Sequence, residues 1–333
     1  MTKFSEMLSN VHGRHVYIQT HNFPDPDAIS SAYGLQKLLA AKGIASTICY
    51  VGKIDRHSMN VMLDKLDIEI VNVKDIKDMS QEDEIILVDA QKGNSNIVDI
   101  VGDEIICIDH HPTYEKIKYR YSDIRPEVGA CASIIASYFF ENDIAIDKKT
   151  ATALLYGIRI DTANMTRGVC QLDLDMFYKL YNYSDREILD ALSMSSVQYE
   201  DLRAYATAIE TIKIYGCISF ANTGRECPEP LIASISDFVL ALSVVEFSVV
   251  YSLRSDGIKL SVRSGNSQFD AGVITNLALK GIGSGGGHPS MAGGFVPYNK
   301  EYESAGMLIS DIENRFIRAI AEKYPDNFEG RKK

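Results

Sequence analysis

Several features typical of membrane and secreted proteins are missing from this sequence. No apolar stretch among its 333 residues is long enough to cross a bilayer. The first six residues, MTKFSE, lack the basic-then-apolar order of a signal peptide. The six cysteines are scattered and form no C-x-x-C pair, so neither a disulfide framework nor a zinc knuckle is indicated. These absences favour a reduced, cytoplasmic compartment and no membrane partner.

An excess of positive charge is also missing. The sequence has 34 lysines and arginines against 45 aspartates and glutamates, which gives a formal net charge of -11. A protein that grips long nucleic acid needs a basic footprint, because phosphate neutralisation supplies most of that affinity. The charge therefore argues against long DNA or RNA as a ligand. It allows a short phosphorylated substrate held by one or two arginines and a metal ion.

The length and the order of the segments favour two domains. The first half alternates predicted strands, at 15–20, 44–51, 84–90 and 104–109, with predicted helices, at 28–42, 129–141 and 148–158. Such alternation is typical of a doubly wound α/β domain with a mostly parallel sheet. We assign this domain to residues 1–190, a helical linker to 191–214, and a second domain with short β runs to 215–330.

Potential metal ligands follow the predicted strands of the first domain. They are His21, Asp25, Asp27, Asp89, Asp109, His110 and His111, and the chain has only seven histidines. Ligands of such sheets bind outside the carboxyl ends of the strands, so these residues predict one composite site.

Several of these residues also have a plainer interpretation. Asp27 could cap the helix that follows it, and Asp89 could cap the next segment. The two histidines could be a surface pair in a loop. Asp161, which follows the predicted helix 148–158, could be an ordinary polar residue at a helix end.

Taken together, six residues supply two imidazoles and four carboxylates: His21, Asp25, Asp27, Asp89, His110 and Asp161. This donor set fits hydrolysis of a phosphate ester with two hard cations. Mn²⁺ suits mixed histidine and aspartate ligation better than Mg²⁺ does.

The second domain has a glycine-rich stretch that ends in Gly285, Gly286, Gly287 and His288. Backbone N–H groups of glycines can approach phosphate oxygens closely. Arg263 is a further candidate phosphate ligand. A flexible loop and a solvated strand arginine are the respective alternatives.

The motifs, taken in order, resemble the DHH–DHHA1 phosphoesterases. The resemblance rests on five segments: His21-x-x-Pro24-Asp25-x-Asp27-Ala28, Val88-Asp89, Asp109-His110-His111, Tyr156-Gly157-Ile158-x-x-Asp161-Thr162, and Gly285-Gly286-Gly287-His288 with Ala292-Gly293. The branch it is similar to contains nanoRNases, pAp phosphatases, cyclic-dinucleotide phosphodiesterases and the RecJ exonuclease. Pro26 stands where this family commonly has glycine.

The resemblance implies a role for each matching residue. His21 and Asp25 would hold one metal ion, Asp27, His110 and Asp161 would hold the other, and Asp89 would bridge them. His111 would contact the scissile phosphate, and Asp109 would orient a histidine without binding a metal ion itself. Arg263, Gly286, Gly287 and His288 would bind substrate phosphate or ribose across a cleft between the DHH domain and a smaller α/β DHHA1 domain.

The function that follows is a metal-dependent phosphodiesterase that hydrolyses short linear oligonucleotides, such as pGpG or pApA, to mononucleotides. Two Mn²⁺ ions per site would activate water, with Mg²⁺ or Co²⁺ as possible substitutes. The expected partner is a short oligonucleotide or nucleotide, and a homodimer is a possible assembly. The alternatives are a pAp 3′-phosphatase, a cyclic-dinucleotide phosphodiesterase, an exopolyphosphatase, and a catalytically silent nucleotide-binding regulator.

Overall fold

The structure is a computed structural model that describes residues 2–54, 57–94, 96–113, 116–194, 197–299 and 304–323. The chain divides into two compact units, Met1–Ser196 and Val197–Lys333. Within the described residues, no helix combines the length and the apolar character needed to span a membrane.

The first unit contains a six-stranded sheet and seven α-helices among its described residues. The strands are β1 His15–Gln19, β2 Ala45–Tyr50, β3 Val71–Asn72, β4 Glu84–Val88, β5 Asp103–Asp109 and β6 Tyr121–Ile124. The helices are α1 Lys3–Leu8, α2 Pro26–Ala40, α3 His57–Leu66, α4 Cys131–Glu141, α5 Lys148–Asp161, α6 Gln171–Tyr183 and α7 Arg186–Met194.

All five strand pairings of this sheet are parallel, and the strand order is β3-β2-β1-β4-β5-β6. The predicted α/β class with a parallel sheet is therefore confirmed. From β1 the chain continues through β2 to β3 at one edge of the sheet, and from β4 it continues through β5 to β6 at the other edge. In open α/β sheets this reversal opens a crevice at the carboxyl ends of the two central strands.

Burial explains why the central strands read as apolar runs. All five residues of β4 are buried. On one face of the sheet they contribute to the main core, which α2, α4 and α5 share. On the other face Ile85, Leu87 and Cys107 form a smaller cluster with Ile97 and Ile100, which lie on the connection between β4 and β5.

Gly157 sets the distance between α5 and the start of α2. A Cβ at this position would overlap Ser30 Oγ of α2 and would lie 3.2 Å from Asp27 Oδ1. Only a residue without a side chain allows so close a helix contact. Asp161 lies one turn further along α5, on the same face as Gly157.

The second unit contains a mixed sheet with helices on both faces. Its strands are β7 Lys213–Tyr215, β8 Ile218–Arg225, β9 Phe247–Leu253, β10 Gly257–Ser264, β11 Ser284–Gly287 and β12 Met291–Pro297. Its helices are α8 Leu202–Thr211, α9 Glu229–Leu240, α10 Ala271–Leu279 and α11 Ala305–Lys323. The order is β11-β12-β10-β9-β8-β7, antiparallel except for the β8–β9 pair.

Two segments make contacts that the sequence did not indicate. Helix α8 falls in the range predicted as a linker, yet Ala208 is fully buried in a cluster with Ala221 and Val250 of the second sheet. Part of the glycine-rich stretch is strand β11, which pairs with β12, rather than a loop. Ala208 is buried by β8 and β9, which follow it in the chain, and β11 pairs with the next strand, β12.

Candidate metal centre

The loop after β1 carries His21 and Asp25. Asp25 is the N-cap of α2, because its Oδ1 accepts hydrogen bonds from the backbone N–H groups of Asp27 and Ala28, each at 3.0 Å. The alternative in which Asp27 caps this helix is therefore wrong. His21 Nε2 lies 3.8 Å from Asp25 Oδ1, and His21 Nδ1 lies 2.9 Å from the carbonyl oxygen of Asn22. A ring that donates from Nδ1 presents Nε2 as a ligand atom.

Asp27 is buried and is bound by a different helix. Its two carboxylate oxygens accept the backbone N–H groups of Cys131, at 2.7 Å, and Ala132, at 2.9 Å. These groups are the first two of α4, where unpaired N–H groups and the helix dipole favour a negative charge. Asp27 thereby fixes the start of α4 against the start of α2.

Asp89 follows β4 and lies at the centre of the site. It is 2% exposed and has a positive φ of 58°, a conformation that aspartate tolerates better than most residues. Its Oδ2 lies 3.6 Å from His21 Nε2, and its Oδ1 lies 3.4 Å from His110 Nε2. The two oxygens of one carboxylate therefore face two different histidines.

His110 follows β5 and is oriented by a backbone carbonyl. Its Nδ1 lies 3.1 Å from the carbonyl oxygen of Val128, which leaves Nε2 on the side of the carboxylates. That Nε2 lies 3.3 Å from Asp161 Oδ2 and 3.9 Å from Asp27 Oδ2. His110 thus connects α2, β4 and α5 at one point.

Asp109 supports the neighbouring histidine. It is fully buried, and its Oδ1 accepts the Nδ1–H of His111 and the backbone N–H of His110, each at 2.8 Å. Its Oδ2 accepts the side-chain amide of Gln91 at 2.7 Å, and the same Nε2 of Gln91 donates to the carbonyl of His111 at 2.9 Å. Gln91 therefore holds both members of the Asp109–His111 pair.

Sequence reasoning missed Gln91. Its one signal is its position two residues after Asp89, since a polar residue just beyond a buried strand belongs to the same sheet edge. The backbone groups of Val128, Cys131 and Ala132 were missed as well, and no side-chain pattern could have indicated them.

The structure brings the predicted ligands into three overlapping groups, and within each group the ligand atoms lie within 4.8 Å of one another. They are His21 with Asp25 and Asp89, Asp27 with His110 and Asp161, and Asp89 with His110 and His111. Asp89 and His110 each belong to two groups. The assignment of these residues as ligands stays a prediction, and their proximity is what it requires.

The site concentrates negative charge. Burial alone would lower the pKa of His21, but the carboxylates of Asp25 and Asp89 outweigh it and raise this pKa to about 10. Burial raises the pKa of Asp161 to about 6, and it also raises the pKa of Asp27 well above its ordinary value, with Asp89 adding to the effect. The raised pKa of His21 shows that the neighbouring carboxylates stabilise positive charge there, whereas the raised pKa values of Asp27 and Asp161 come mainly from burial.

A divalent cation fits these residues. Asp89 Oδ1 is buried and has no hydrogen-bond partner within the described part of the chain. A buried carboxylate oxygen without a hydrogen bond is costly unless a cation lies against it. Carboxylate oxygen with imidazole nitrogen is the ligand set of Mn²⁺ and similar ions rather than of a thiolate zinc site.

The predicted substrate residues of the second unit lie at one end of its sheet. Arg263 on β10 is opposite Met291, the first residue of β12, and Met291 N–H donates to the carbonyl of His288. Arg263 is buried: its Nε donates to Asp237 Oδ1 at 2.7 Å and its Nη1 to Ser261 Oγ at 3.1 Å. The solvated-arginine alternative for Arg263 is therefore wrong.

The glycines of β11 permit close backbone contacts. A Cβ on Gly287 would lie 2.5 Å from the carbonyl oxygen of Met291, whereas a Cβ on Gly286 would meet open space. The tight contact explains glycine at 287 but not at 286. A ligand contact for Gly286, Gly287 and His288, and the cleft between the domains, stay predictions.

Comparisons with known proteins agree with the arrangement of the first unit. Residues 15–158 match the DHH family, N-terminal domain. The chain is 33% identical over 281 residues to an uncharacterised protein of Methanocaldococcus jannaschii, covering 84% of this chain but only 57% of that protein. It is 28% identical over 332 residues to a bifunctional oligoribonuclease and PAP phosphatase of Thermus thermophilus, covering 97% and 94% of the two chains.

A solved structure shows the same fold. An exopolyphosphatase-related protein from Bacteroides fragilis matches with a TM-score of 0.77 over 96% of both chains, at 18% sequence identity. The strand order, the residues gathered at the carboxyl edge of the sheet and the sequence match lead to one conclusion. Residues 15–158 of this chain belong to the DHH family, N-terminal domain.

Proposed function

We propose that this protein is a metal-dependent phosphodiesterase that hydrolyses short linear oligonucleotides, such as pGpG or pApA, to mononucleotides. The observation that carries the proposal is the Asp89 carboxylate, whose two oxygens face His21 and His110 from the centre of the ligand groups. A carboxylate in that position suits a bridge between two cations, the layout used for phosphate ester hydrolysis.

In this proposal His21 and Asp25 hold one cation, Asp27, His110 and Asp161 hold the second, and Asp89 is shared. Mn²⁺ is the proposed cation, because Mg²⁺ prefers fewer protein ligands and retained water. When bound, the cations lower the pKa of water and offset negative charge on the phosphate.

The remaining residues of the site position the substrate. Asp109 fixes the Nδ1–H of His111, and Gln91 fixes both, so the ring of His111 is held for contact with the phosphate. Arg263 and the Gly286–His288 segment are the proposed contacts of the second unit. Asp237 holds the Nε of this arginine and so restricts its guanidinium to one orientation.

Two facts support a short substrate. The net charge of -11 is unsuited to long strands, which need many phosphate contacts. The Thermus thermophilus relative is named an oligoribonuclease and PAP phosphatase, and this chain aligns with nearly all of it.

The test is a length series of 5′-phosphorylated RNA, from dinucleotide to 20-mer, with Mn²⁺ and with EDTA. We expect Mn²⁺-dependent release of mononucleotides, fastest for the dinucleotide. The same panel includes pAp, a cyclic dinucleotide and polyphosphate, which report the alternative activities. Faster cleavage of the 20-mer would contradict the short-substrate proposal, and nucleotide binding without turnover of any phosphoester would favour the regulator.

A further inference from the structure

Phe23 is a bulky aromatic residue in an unusual place. It lies between His21 and Asp25 in the loop after β1, and 64% of its surface is exposed. Its φ is 55°, in the left-handed region that side chains with a bulky ring strongly disfavour. A strained backbone beside a candidate site is a reason to look for a function of the side chain.

The ring of Phe23 is held in this exposed position by its surroundings. Its backbone N–H donates to the carbonyl of Val51 at 2.9 Å, which ties the loop to the end of β2. The ring lies against Gly52: a Cβ built on this glycine would be 2.8 Å from the ring Cδ1 and 2.9 Å from Cε1. Gly52 therefore leaves the room that the ring occupies, and most of the ring faces solvent.

We propose that Phe23 is the platform on which a nucleobase of the substrate stacks, an inference that rests on the proposed function and specifies its substrate class. An aromatic face binds any base by stacking, without reading its sequence. Phe23 is two residues away in the sequence from each of two predicted metal ligands, His21 and Asp25. A nucleotide whose phosphate lies at those ligands brings its base to this edge of the sheet. Pyrophosphate and polyphosphate have no ring to stack, so the platform favours nucleotides.

The first experiment compares pApA with an analogue of the same backbone that lacks both bases, in the presence of Mn²⁺. Phe23→Ala should lower the ratio of the two kcat/KM values roughly 5- to 150-fold, which corresponds to about 1–3 kcal/mol for one stacked base. Phe23→Asn should lower this ratio equally while raising the melting temperature, because asparagine tolerates a positive φ. Tyr178→Ala is the control, since Tyr178 is a more exposed aromatic residue, on α6.

A second experiment measures stacking without turnover. The sequence contains no tryptophan, so Phe23→Trp introduces a single indole fluorophore. AMP should quench its emission with saturation, whereas ribose 5-phosphate, which has the same phosphate and sugar, should not. Tyr178→Trp is the control, because quenching of an indole at this exposed position measures non-specific collisions with the nucleotide.

The outcomes separate this inference from the proposed function. An unchanged ratio in Phe23→Ala and Phe23→Asn, or equal loss with both substrates, would overturn the platform. Equal quenching by AMP and ribose 5-phosphate would overturn it too. If the wild type cleaves no nucleotide at all, the proposed function fails, and selective quenching by AMP still supports the platform.

Discussion

Replacing Asp89 with asparagine should remove the proposed bridge while keeping the shape of the side chain. For one site, bound metal stabilises a protein by RT ln(1 + [L]/Kd), which is about 2.7 kcal/mol when free Mn²⁺ is a hundredfold above Kd. A domain of this size gains roughly 2–4 °C per kcal/mol, so wild-type protein should melt about 5–11 °C higher with Mn²⁺ than with EDTA.

The loss in the variant can be estimated from ligand chemistry. Changing even the supporting residues of a metal site costs about 10- to 100-fold in affinity, and a shared ligand should cost no less. At the same Mn²⁺ concentration the stabilisation then falls to about 1.4 or 0.4 kcal/mol, so the shift is about half that of the wild type or much smaller. Asp64→Asn, at an exposed aspartate of α3, should leave the wild-type shift unchanged.

The assay is differential scanning fluorimetry with and without Mn²⁺, followed by metal analysis of the desalted protein. Hydrolysis of pApA by Asp89→Asn should fall at least a hundredfold in the same preparations. A full Mn²⁺-dependent shift in this variant, or activity within tenfold of wild type, would refute the bridge assignment.

Three further changes test other parts of the molecule. Gln91→Met should lower kcat about 10- to 100-fold with both metals retained, because Asp109 and His111 lose the hydrogen bonds that Gln91 donates to them. Steady-state kinetics with metal analysis checks this, and a normal kcat would contradict it. His288→Ala should raise KM with metal content unchanged, and loss of metal would count against its placement in substrate binding. Glu84 accepts the N–H groups of His12 and Gly13 and pairs with Arg120; these contacts outweigh burial and lower its pKa below 4.5. A lowered carboxylate pKa stabilises the fold above the unfolded-state value, and this contribution disappears as the pH falls through the folded-state value. Glu84→Gln should therefore cost about 1.5–3 kcal/mol in urea unfolding at pH 7 and far less at pH 3, and an equal loss at both pH values would contradict this account.

The convergence of the predicted ligands followed from sequence because it depends on local patterns. Short apolar runs marked β4 and β5, and the polar residues after them had to meet at one edge of a parallel sheet. Asp161 was harder to place, since it lies on α5 rather than after a strand. Its position depends on the close helix contact at Gly157, which is a matter of packing.

The remaining features depend on contacts that no local pattern encodes. Ala208 on α8 is buried by a strand that lies after it in the chain, so the helix looked like a linker. Glycines have little intrinsic preference for strands, so the residue types did not mark β11 as a strand. The backbone conformation of Phe23 could not be predicted from its residue type, because phenylalanine rarely adopts a positive φ.

The position of Asp27 has a practical consequence for anyone who needs an inactive form of this protein to trap substrate. Asp27 is a predicted ligand, and it is also the group that holds the first turn of α4. Its removal would release two buried N–H groups and destabilise the fold, so loss of activity in that variant would have two causes. Asp161 is a better choice, because no hydrogen bond to its carboxylate secures a helix end among the described contacts. An Asp161→Asn variant keeps the hydrogen bonds from the start of α4 to Asp27. The inactivity of this variant can therefore be assigned to the metal site alone.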